Sequence, residues 1–509
     1  ASLSGLIRGI GPSTAKLIVK HFGEQTLEIL DEQPQRLTEI SGIGEKKAAM
    51  IAESYLQQMG LRRALVFLQN DGLSPNLAMK IAKYYGENTI ELIRQNPYRM
   101  VMDIDGVGFL TADRMALRMG IDPQSEFRLR AALFYLLSES AVNGGHTYLP
   151  RDVLLSRACA MLHAPQEVVD QQITQAMLEK MMIGFSMPDC EEALCLPLYF
   201  HAEQEIALRL AQLMTARPYK RVGGLAMRIQ EYENELGVSF SPLQKKAIQS
   251  AVEEGVLVIT GGPGTGKTTV IRCILHLLKQ EDSDILLCAP TGRAAKRMSE
   301  ATGEEAKTIH RLLEITPGVD EVGSCFARNS ENPLDCDVLI IDEMSMVDII
   351  LMKHLTDALS SRTRLIMVGD SDQLPSVGAG NVLKDIIDSH SIECIKLTEI
   401  FRQAKESMIV VNAHRVNNGE EPLLNDNDND FFFVHRDDPM QLPNTIADLC
   451  VRRLPQYYGL DGITQIQVLT PTRKSLIGVQ NLNTILQSCL NPPSPDKREY
   501  ITRRCIFRV

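Results

Sequence analysis

The spacing of apolar residues changes character once along this chain. Between residues 125 and 235 they recur every three or four positions, in FRLRAALFYLLSESAVN, RDVLLSRACAML, QEVVDQQITQAMLEKMM and AEQEIALRLAQLM. That is the period of an amphipathic helix. Gly144-Gly145 and the stretch from Pro188 to Pro197 interrupt it. From Gly255 onward the apolar residues come in short unbroken runs: VLVIT, then ILLCA at 285, DVLII at 337, RLIMV at 364 and ECIKL at 393. Helical patterns separate most of these runs. Strands that alternate with helices predict a parallel sheet covered on both faces. Functional residues of such a sheet lie beyond the carboxyl ends of its strands.

Upstream, residues 11–54 and 73–117 repeat one another. His21-Phe22-Gly23 matches Tyr84-Tyr85-Gly86, Pro34 matches Pro97, and Gly42-Ile43-Gly44 matches Gly106-Val107-Gly108 after a one-residue insertion. A duplicated helical unit is expected, with glycine hairpins also at Gly9-Ile10-Gly11. The glycines permit a tight turn with positive φ, and the next helix then starts with free N–H groups that suit a phosphate oxygen. A fourth hairpin, near Leu73-Ser74-Pro75-Asn76, lacks the glycine pair. Contact with a DNA backbone and service as a helical scaffold are both open readings of this region. The helix, Gly-rich turn, two helices and short extended piece that follow suggest a winged-helix-like connector.

Composition narrows the classes. The 509 residues are 44% hydrophobic and 23% charged, as in an ordinary globular protein of several domains. No apolar run approaches the roughly 18 residues that span a bilayer. The eleven cysteines include no C-x-x-C, and several sit in apolar helix or strand patterns, so reduced core thiols and a bacterial cytoplasm are expected. The net charge of −11 gives no general attraction to nucleic acid, so any DNA contact must come from local basic patches. The chain opens ASLSGL, without an initiator Met or a signal-peptide pattern.

The chemistry is concentrated at strand ends. VLVIT runs into Gly261-Gly262-Pro263-Gly264-Thr265-Gly266-Lys267-Thr268 and then a helix, which is the phosphate loop G-x-x-x-x-G-K-[ST] in its strand–loop–helix context. In that motif the glycine N–H groups wrap the phosphates of ATP, Lys267 reaches the β- and γ-phosphates and Thr268 ligates Mg²⁺. The run at 337–341 ends in Asp342-Glu343, a metal-holding acid and a base for the attacking water. The run at 364–368 leads to Gln373, and that at 285–289 to Pro290-Thr291-Gly292-Arg293 and a basic helix with Lys296 and Arg297. Residues 314–334 read as a β-hairpin insertion or as an ordinary surface excursion. Asp426–Asp430 mimics part of a calcium loop but has Phe431 where the glycine is needed, so a solvated loop is expected.

GGPGTGKTT, APTGRAAKRMSE, KTIHRLL, IIDEMSM, VGDSDQLPSVGAG and LTEIFRQ stand in the order of the superfamily 1 helicase motifs. Their wording resembles the RecD/TraA branch, and the tandem helix-hairpin-helix region is similar to that of the stand-alone RecD-like helicases. The resemblance implies an α/β fold with RecA-like P-loop domains, one complete and one incomplete, preceded by helical domains. It implies a helix-hairpin-helix domain at 1–122, a helical, winged-helix-like connector at 123–234, a first motor domain at 235–395 and a second at 396–509. It implies that Gln244 reads adenine, and that Gly262, Gly264, Thr265, Gly266, Lys267, Thr268 and Thr269 hold the nucleotide. Thr268 and Asp342 would serve Mg²⁺, with Glu343 and Gln373 acting in catalysis beside Arg402 from the second motor domain. Pro290, Thr291, Arg293, Thr308, His310, Thr470 and Asn481 would contact DNA, although His310 by itself also suits a helix-packing role. The 314–334 hairpin would be the pin that splits a duplex.

The expected function is a 5′–3′ DNA helicase acting on single strands and duplex junctions, with repair proteins as further partners of the helical domains. An ATP-switched clamp without unwinding and an RNA helicase are the alternatives. The last two motifs of the family do not occur before Val509, which reads as the middle of a strand, so truncation at both ends is expected.

Overall fold

The computed structural model describes residues 12–104, 106–188, 190–216, 223–315, 326–399, 407–424, 430–502 and 506–508. It divides into two compact units, Ala1–Phe401 and Arg402–Val509. Among the described residues no helix is long and apolar enough to cross a membrane.

The first unit opens with helices α1 (Pro12–Phe22), α2 (Thr26–Glu32), α3 (Glu45–Asn70), α4 (Pro75–Tyr85), α5 (Thr89–Gln95), α6 (Arg99–Asp103) and α7 (Phe109–Arg118). The duplication is visible in the backbone. Gly42 and Gly106 take φ of +93° and +85°, Ile43 and Val107 are buried, and Gly44 and Gly108 cap α3 and α7. The copy at 72–74 is retained as well, although its glycine pair is gone. Gly72 takes φ +93°, Leu73 is buried, and Ser74 adopts the extended cap conformation, its Oγ accepting from Leu77 N at 3.4 Å. Only the first position of the hairpin needs positive φ; the second is an N-cap, where serine serves as well as glycine. The hairpin at Gly9–Gly11 lies outside the described residues.

Next come α8 (Glu126–Gly144), β1 (Tyr148–Pro150), α9 (Arg151–Leu162), α10 (Gln166–Leu178), β2 (Ile183–Met187) and β3 (Cys190–Cys195). The strands form an antiparallel sheet of order β1-β3-β2, the arrangement expected of the winged-helix-like segment. The boundary drawn at 122/123 does not separate two cores. One apolar cluster runs from Ala64 through Phe109 and Leu133 to Leu196. A buried polar knot crosses the same line: Arg128 donates to both oxygens of Asp113 at 2.8 and 3.1 Å, and Tyr98 Oη donates to Asp113 Oδ1 at 2.7 Å. Arg128 also donates to Pro123 O and Leu162 O. The first repeat keeps its own cluster around Ile18, Leu30, Leu37 and Ile51.

The motor part comprises α11 (Pro197–Thr215), α12 (Leu225–Leu236), α13 (Pro242–Glu253), β4 (Val256–Gly261), α14 (Lys267–Lys279), β5 (Ile285–Ala289), α15 (Gly292–Thr302), β6 (Ala306–Thr308), α16 (Ile309–Leu312), β7 (Val338–Ile341), α17 (Ile349–Asp357), β8 (Arg364–Gly369), α18 (Val382–Asp388) and β9 (Glu393–Leu397). The six strands are parallel, in the order β6-β5-β7-β8-β4-β9. Side chains alternate between two cores, as a period of two requires. Val256, Val258, Leu365 and Met367 face one, with α17 and α18; Leu257, Ile259, Ile366 and Val368 face the other, with α13 and α14. Side chains that cover this sheet begin before residue 235. Ala202, Ile206, Leu210 and Leu213 of α11 form a helical stripe in the first of these cores, and Ile229 and Tyr232 of α12 join the second.

The 314–334 excursion is antiparallel at its root: Ile315 bridges Phe326, and Ala327 N donates to Glu314 O at 3.0 Å. Its middle, 316–325, lies outside the described residues, as do most of the calcium-loop mimic and Arg402.

The second unit contains α19 (Met408–Asn417), α20 (Leu442–Asp448), α21 (Leu454–Tyr458), α22 (Val479–Leu490) and a ribbon of β10 (Glu499–Ile501) and β11 (Ile506–Arg508). The apolar runs FFFV at 431–434 and QIQVL at 465–469 form no strand among the described residues. Phe432, Phe433 and Val434 are about half exposed. A parallel strand is stable only with a ladder partner and cover on both faces, and no described ladder includes 431–434 or 465–469.

Asp113→Ala should destabilise the chain by about 3–5 kcal/mol, because it strands the buried Arg128 guanidinium. Urea unfolding checks this, and a loss under 1 kcal/mol, roughly the value of an exposed pair, would show that water reaches the arginine.

Candidate nucleotide site and nucleic-acid rim

Strand β4 delivers the chain to a narrow place. A Cβ on Gly261 would lie 2.8 Å from Leu397 O and 2.8 Å from Thr265 Oγ1, so only glycine fits. The loop then turns through Gly264 (φ +78°) and Gly266 (φ +81°), a left-handed backbone open to glycine. Buried Thr265 donates from Oγ1 to Gly262 O at 2.9 Å. Helices α13, α15, α16 and α17 each begin with a side-chain cap, whereas no side chain caps α14 at Gly266. The first-turn N–H groups of Lys267, Thr268 and Thr269 therefore face out of the loop, where an anion would satisfy them. Lys267 Nζ is held over the loop by Gly261 O at 2.5 Å and Gly262 O at 3.3 Å.

Gln244 is buried beneath this loop at 2% exposure. Its Nε2 donates to Thr265 O at 2.9 Å, and its Oε1 accepts from Ser241 N at 3.0 Å within a capping box. The carboxamide expected to read adenine thus already braces the loop, with one proton and one lone pair left over.

Strand β7 ends beside the loop in Asp342, whose Oδ1 accepts from Glu343 N at 2.9 Å. Glu343 takes φ +53°, rare for a residue with a Cβ and a mark of functional sites. Burial pushes both carboxyls above their usual range, and for Glu343 the Asp342 charge adds to the rise. The charges of Lys267 and Arg297 pull both back down. Beyond β8, buried Asp370 accepts from Asp372 N at 3.1 Å through Oδ1 and from Gln373 N at 3.2 Å through its carbonyl. This turn leaves Gln373 exposed, and Ser371 N donates to Thr260 Oγ1 at 3.1 Å.

The expected DNA contacts of the first unit gather on one ridge. Parallel pairing sets Ala289 opposite Thr308, which brings Pro290, Thr291 and Arg293 beside Thr308 and His310. Thr291 and Thr308 cap α15 and α16, accepting from Ala294 N and Arg311 N at 3.2 Å each. Their hydroxyl oxygens are engaged, and their protons stay available to a phosphate. Arg293 and His310 are exposed. In the second unit, Thr470 and Asn481 bond to neighbouring carbonyls of one turn, Ile477 O at 2.7 Å and Leu476 O at 2.6 Å.

Sequence reasoning passed over Asp370, Thr260 and Asp348, and it placed Arg297 on a basic helix without bringing it to the carboxylates. Asp348 had a signal, an Asp directly before an apolar helical run. The position of Arg297 near the carboxylates follows only from the packing of α15 on the sheet.

Comparison with known families agrees with this layout. The model described as "AAA domain" matches residues 244–379, "ATP-dependent RecD2 DNA helicase HHH domain" matches 57–148, and "SAM-like Helix-hairpin-helix tandem" matches 3–54. The ATP-dependent RecD2 DNA helicase of Deinococcus radiodurans is 31% identical over 499 residues, 96% of this chain and 66% of that protein. The chain belongs to the RecD-like helicase family. Another relative, the RecBCD enzyme subunit RecD of Mycolicibacterium smegmatis, is 31% identical over 333 residues, 59% of this chain and 58% of its own. The chain thus spans two thirds or less of the length of these RecD-type relatives. The RecD2-type helix-hairpin-helix match, at 57–148, runs across the boundary drawn at 122/123, as the shared core does.

Gln244→Ala should raise the KM for ATP and destabilise the first unit by about 1–3 kcal/mol, since it leaves Thr265 O and Ser241 N unsatisfied. Nucleotide titration and thermal unfolding measure the two effects. Unchanged affinity would mean that the loop holds its shape without the brace.

Proposed function

We propose that the chain carries the motor of an ATP-dependent DNA helicase that moves 5′ to 3′ on single-stranded DNA in repair or recombination, in the bacterial cytoplasm. One observation supports this above the rest: the carboxyl edge of a single parallel sheet carries a phosphate loop at β4, two desolvated carboxyls at β7, Gln373 beyond β8 and the Pro290–His310 ridge at β5 and β6. A machine that couples phosphoryl transfer to a nucleic-acid strand needs both on one rigid body.

In this reading Gly262, Gly264, Thr265 and Gly266 shape the cradle, and the first-turn N–H groups of α14 bind phosphate oxygens. Lys267 leaves its two carbonyl partners to neutralise the γ-phosphate. Asp342 is desolvated, with only a backbone N–H and two nearby cations to offset its charge, which suits a hard divalent ion. Thr268 and Asp342 would hold Mg²⁺, which supplies charge neutralisation to the phosphates. Glu343, with its raised proton affinity, takes the proton of the attacking water more readily than an exposed glutamate would. Gln373 senses the γ-phosphate, and Arg402 contributes positive charge from the second unit.

The hydroxyl protons of Thr291 and Thr308, with Arg293 and His310, grip the strand, and Thr470 and Asn481 add contacts from the second unit. The hairpins at 42–44, 72–74 and 106–108 share one backbone geometry, which supports contact with duplex backbone at junctions. The same faces could dock repair proteins.

Variants, DNA stimulation and salt dependence test this. Lys267→Ala should abolish ATP hydrolysis, and Glu343→Gln should keep nucleotide binding while stopping turnover, because the base is lost and the metal ligand is not. Wild-type turnover in Glu343→Gln would overturn the assignment. In the whole protein that carries all the family's motifs, single-stranded DNA should stimulate the ATPase and a 5′-tailed duplex should be unwound, whereas residues 1–509 alone should bind an ATP analogue, hydrolyse ATP weakly and separate no strands; stimulation of the whole protein without unwinding would favour a clamp. Each phosphate contact should add about 0.7 to the logarithmic salt slope of strand binding, and a flat slope in an equilibrium titration would remove the ridge from the strand path.

A further inference from the structure

The loop between β8 and α18, residues 370–381, carries Gln373; besides an exposed Asp372–Lys396 ion pair at 3.7 Å, three hydrogen bonds from backbone N–H groups fasten it. At its start, Ser371 N donates to Thr260 Oγ1 at 3.1 Å, on the strand that leads into the phosphate loop. Near its end, Ile349 N in the first turn of α17 donates to Ala379 O at 3.0 Å. One residue later, Gly380 N donates to Gly145 O at 2.9 Å. Gly145 is the left-handed residue that closes α8, so this bond joins the nucleotide edge of the motor to the N-terminal helical part of the same unit.

The fit along these residues leaves no slack. A Cβ on Gly378 would stand 2.7 Å from Asp348 Cγ and 2.8 Å from Asp348 Cβ. Asp348 cannot retreat freely, because its Oδ1 caps α17 by accepting from Leu351 N at 2.8 Å. Gly380, at φ +94°, lies against Ile349 on one side and Thr147 on the other, its Cβ position 3.0 Å from Ile349 Cβ and 3.5 Å from Thr147 Cγ2. Between its fastened ends the loop is open: Leu374 is 86% and Val377 90% exposed.

We infer that Gly378 and Gly380 are positioning residues that pass the nucleotide-dependent setting of the Gln373 loop to the turn at 145–147, so that the N-terminal helical part is coupled to the ATP site. The inference rests on the ATPase reading above. The physical argument is that a close-packed contact transmits displacement, since atoms already in contact leave no gap to close and a packed interior is hard to compress. If Gln373 moves when a γ-phosphate arrives, the far end of its loop must take the Gly145 carbonyl with it or lose a hydrogen bond. Energetic coupling between two sites requires such a shared element.

The test uses the full chain with a non-hydrolysable ATP analogue. Hydrogen exchange of the peptide covering residues 139–149 should change rate when the analogue binds wild type, because the amides of Gly145 and His146 close the end of α8. The analogue should also shift the affinity for a hairpin duplex with a single-stranded tail by about fivefold or more, a usual size for coupling between sites. In Gly378→Ala the exchange difference should vanish and the affinity ratio fall to within about twofold of one, with analogue affinity kept. Gly378→Ala combined with Asp348→Gly should recover both, since the second change removes the atoms a new Cβ would meet and glycine is an acceptable cap.

Unaltered exchange at 139–149 in a wild type that binds the analogue would overturn the inference. So would full coupling in Gly378→Ala. A wild type that binds no nucleotide would instead refute the ATPase reading. A folded double variant that binds the analogue without recovering coupling would overturn the role given to the Gly378–Asp348 contact.

Discussion

The parallel sheet of the first unit depends on being covered on both faces. A parallel ladder carries apolar side chains above and below, and exposing either face to water would cost more than its hydrogen bonds return. The chain meets this with two cores that interleave residue by residue along β4, β7 and β8. With both faces closed, the only parts of the strands free to do chemistry are their ends. The phosphate loop, the Asp342–Glu343 pair and the Pro290–His310 ridge therefore meet at one edge of the same sheet.

The same demand for cover explains why the functional boundaries are not the packing boundaries. Helix α11 looks like the last piece of a connector, yet its stripe of Ala202, Ile206, Leu210 and Leu213 is needed to finish one face of the sheet. The second hairpin repeat likewise shares its apolar cluster with α8 to α10, and Arg128 is satisfied only by groups from both sides of that line. A cut at residue 122 or 234 would expose apolar surface and, at 122, strand a charge.

Much of the motor was legible in the sequence because its signals are local. Unbroken apolar runs mark fully buried strands, and the phosphate loop is a continuous motif whose glycines are required by a close approach and two left-handed residues. The retained hairpin at 72–74 was obscured because the sequence pattern shows a glycine pair, whereas the backbone needs positive φ at only one of the two places. Gln244 was seen as a reader of adenine. Its brace to Thr265 O joins residues 21 apart in sequence, a separation at which periodicity says nothing. The runs FFFV and QIQVL have a strand-like composition, but a strand also needs a place in a ladder, which composition does not record.

The uncapped start of α14 has a thermodynamic consequence. Helices α13, α15, α16 and α17 have a side-chain cap, whereas α14 has glycine there, a difference of only about a few tenths of a kcal/mol. The first-turn N–H groups of α14 are therefore left to water or to an anion in the loop. Any ligand confined to the folded state adds its own binding free energy to stability, about 2.7 kcal/mol at a hundredfold excess over Kd. The protein is then least stable when deprived of nucleotide, and its melting temperature in plain buffer is a lower bound on its stability wherever ATP is abundant.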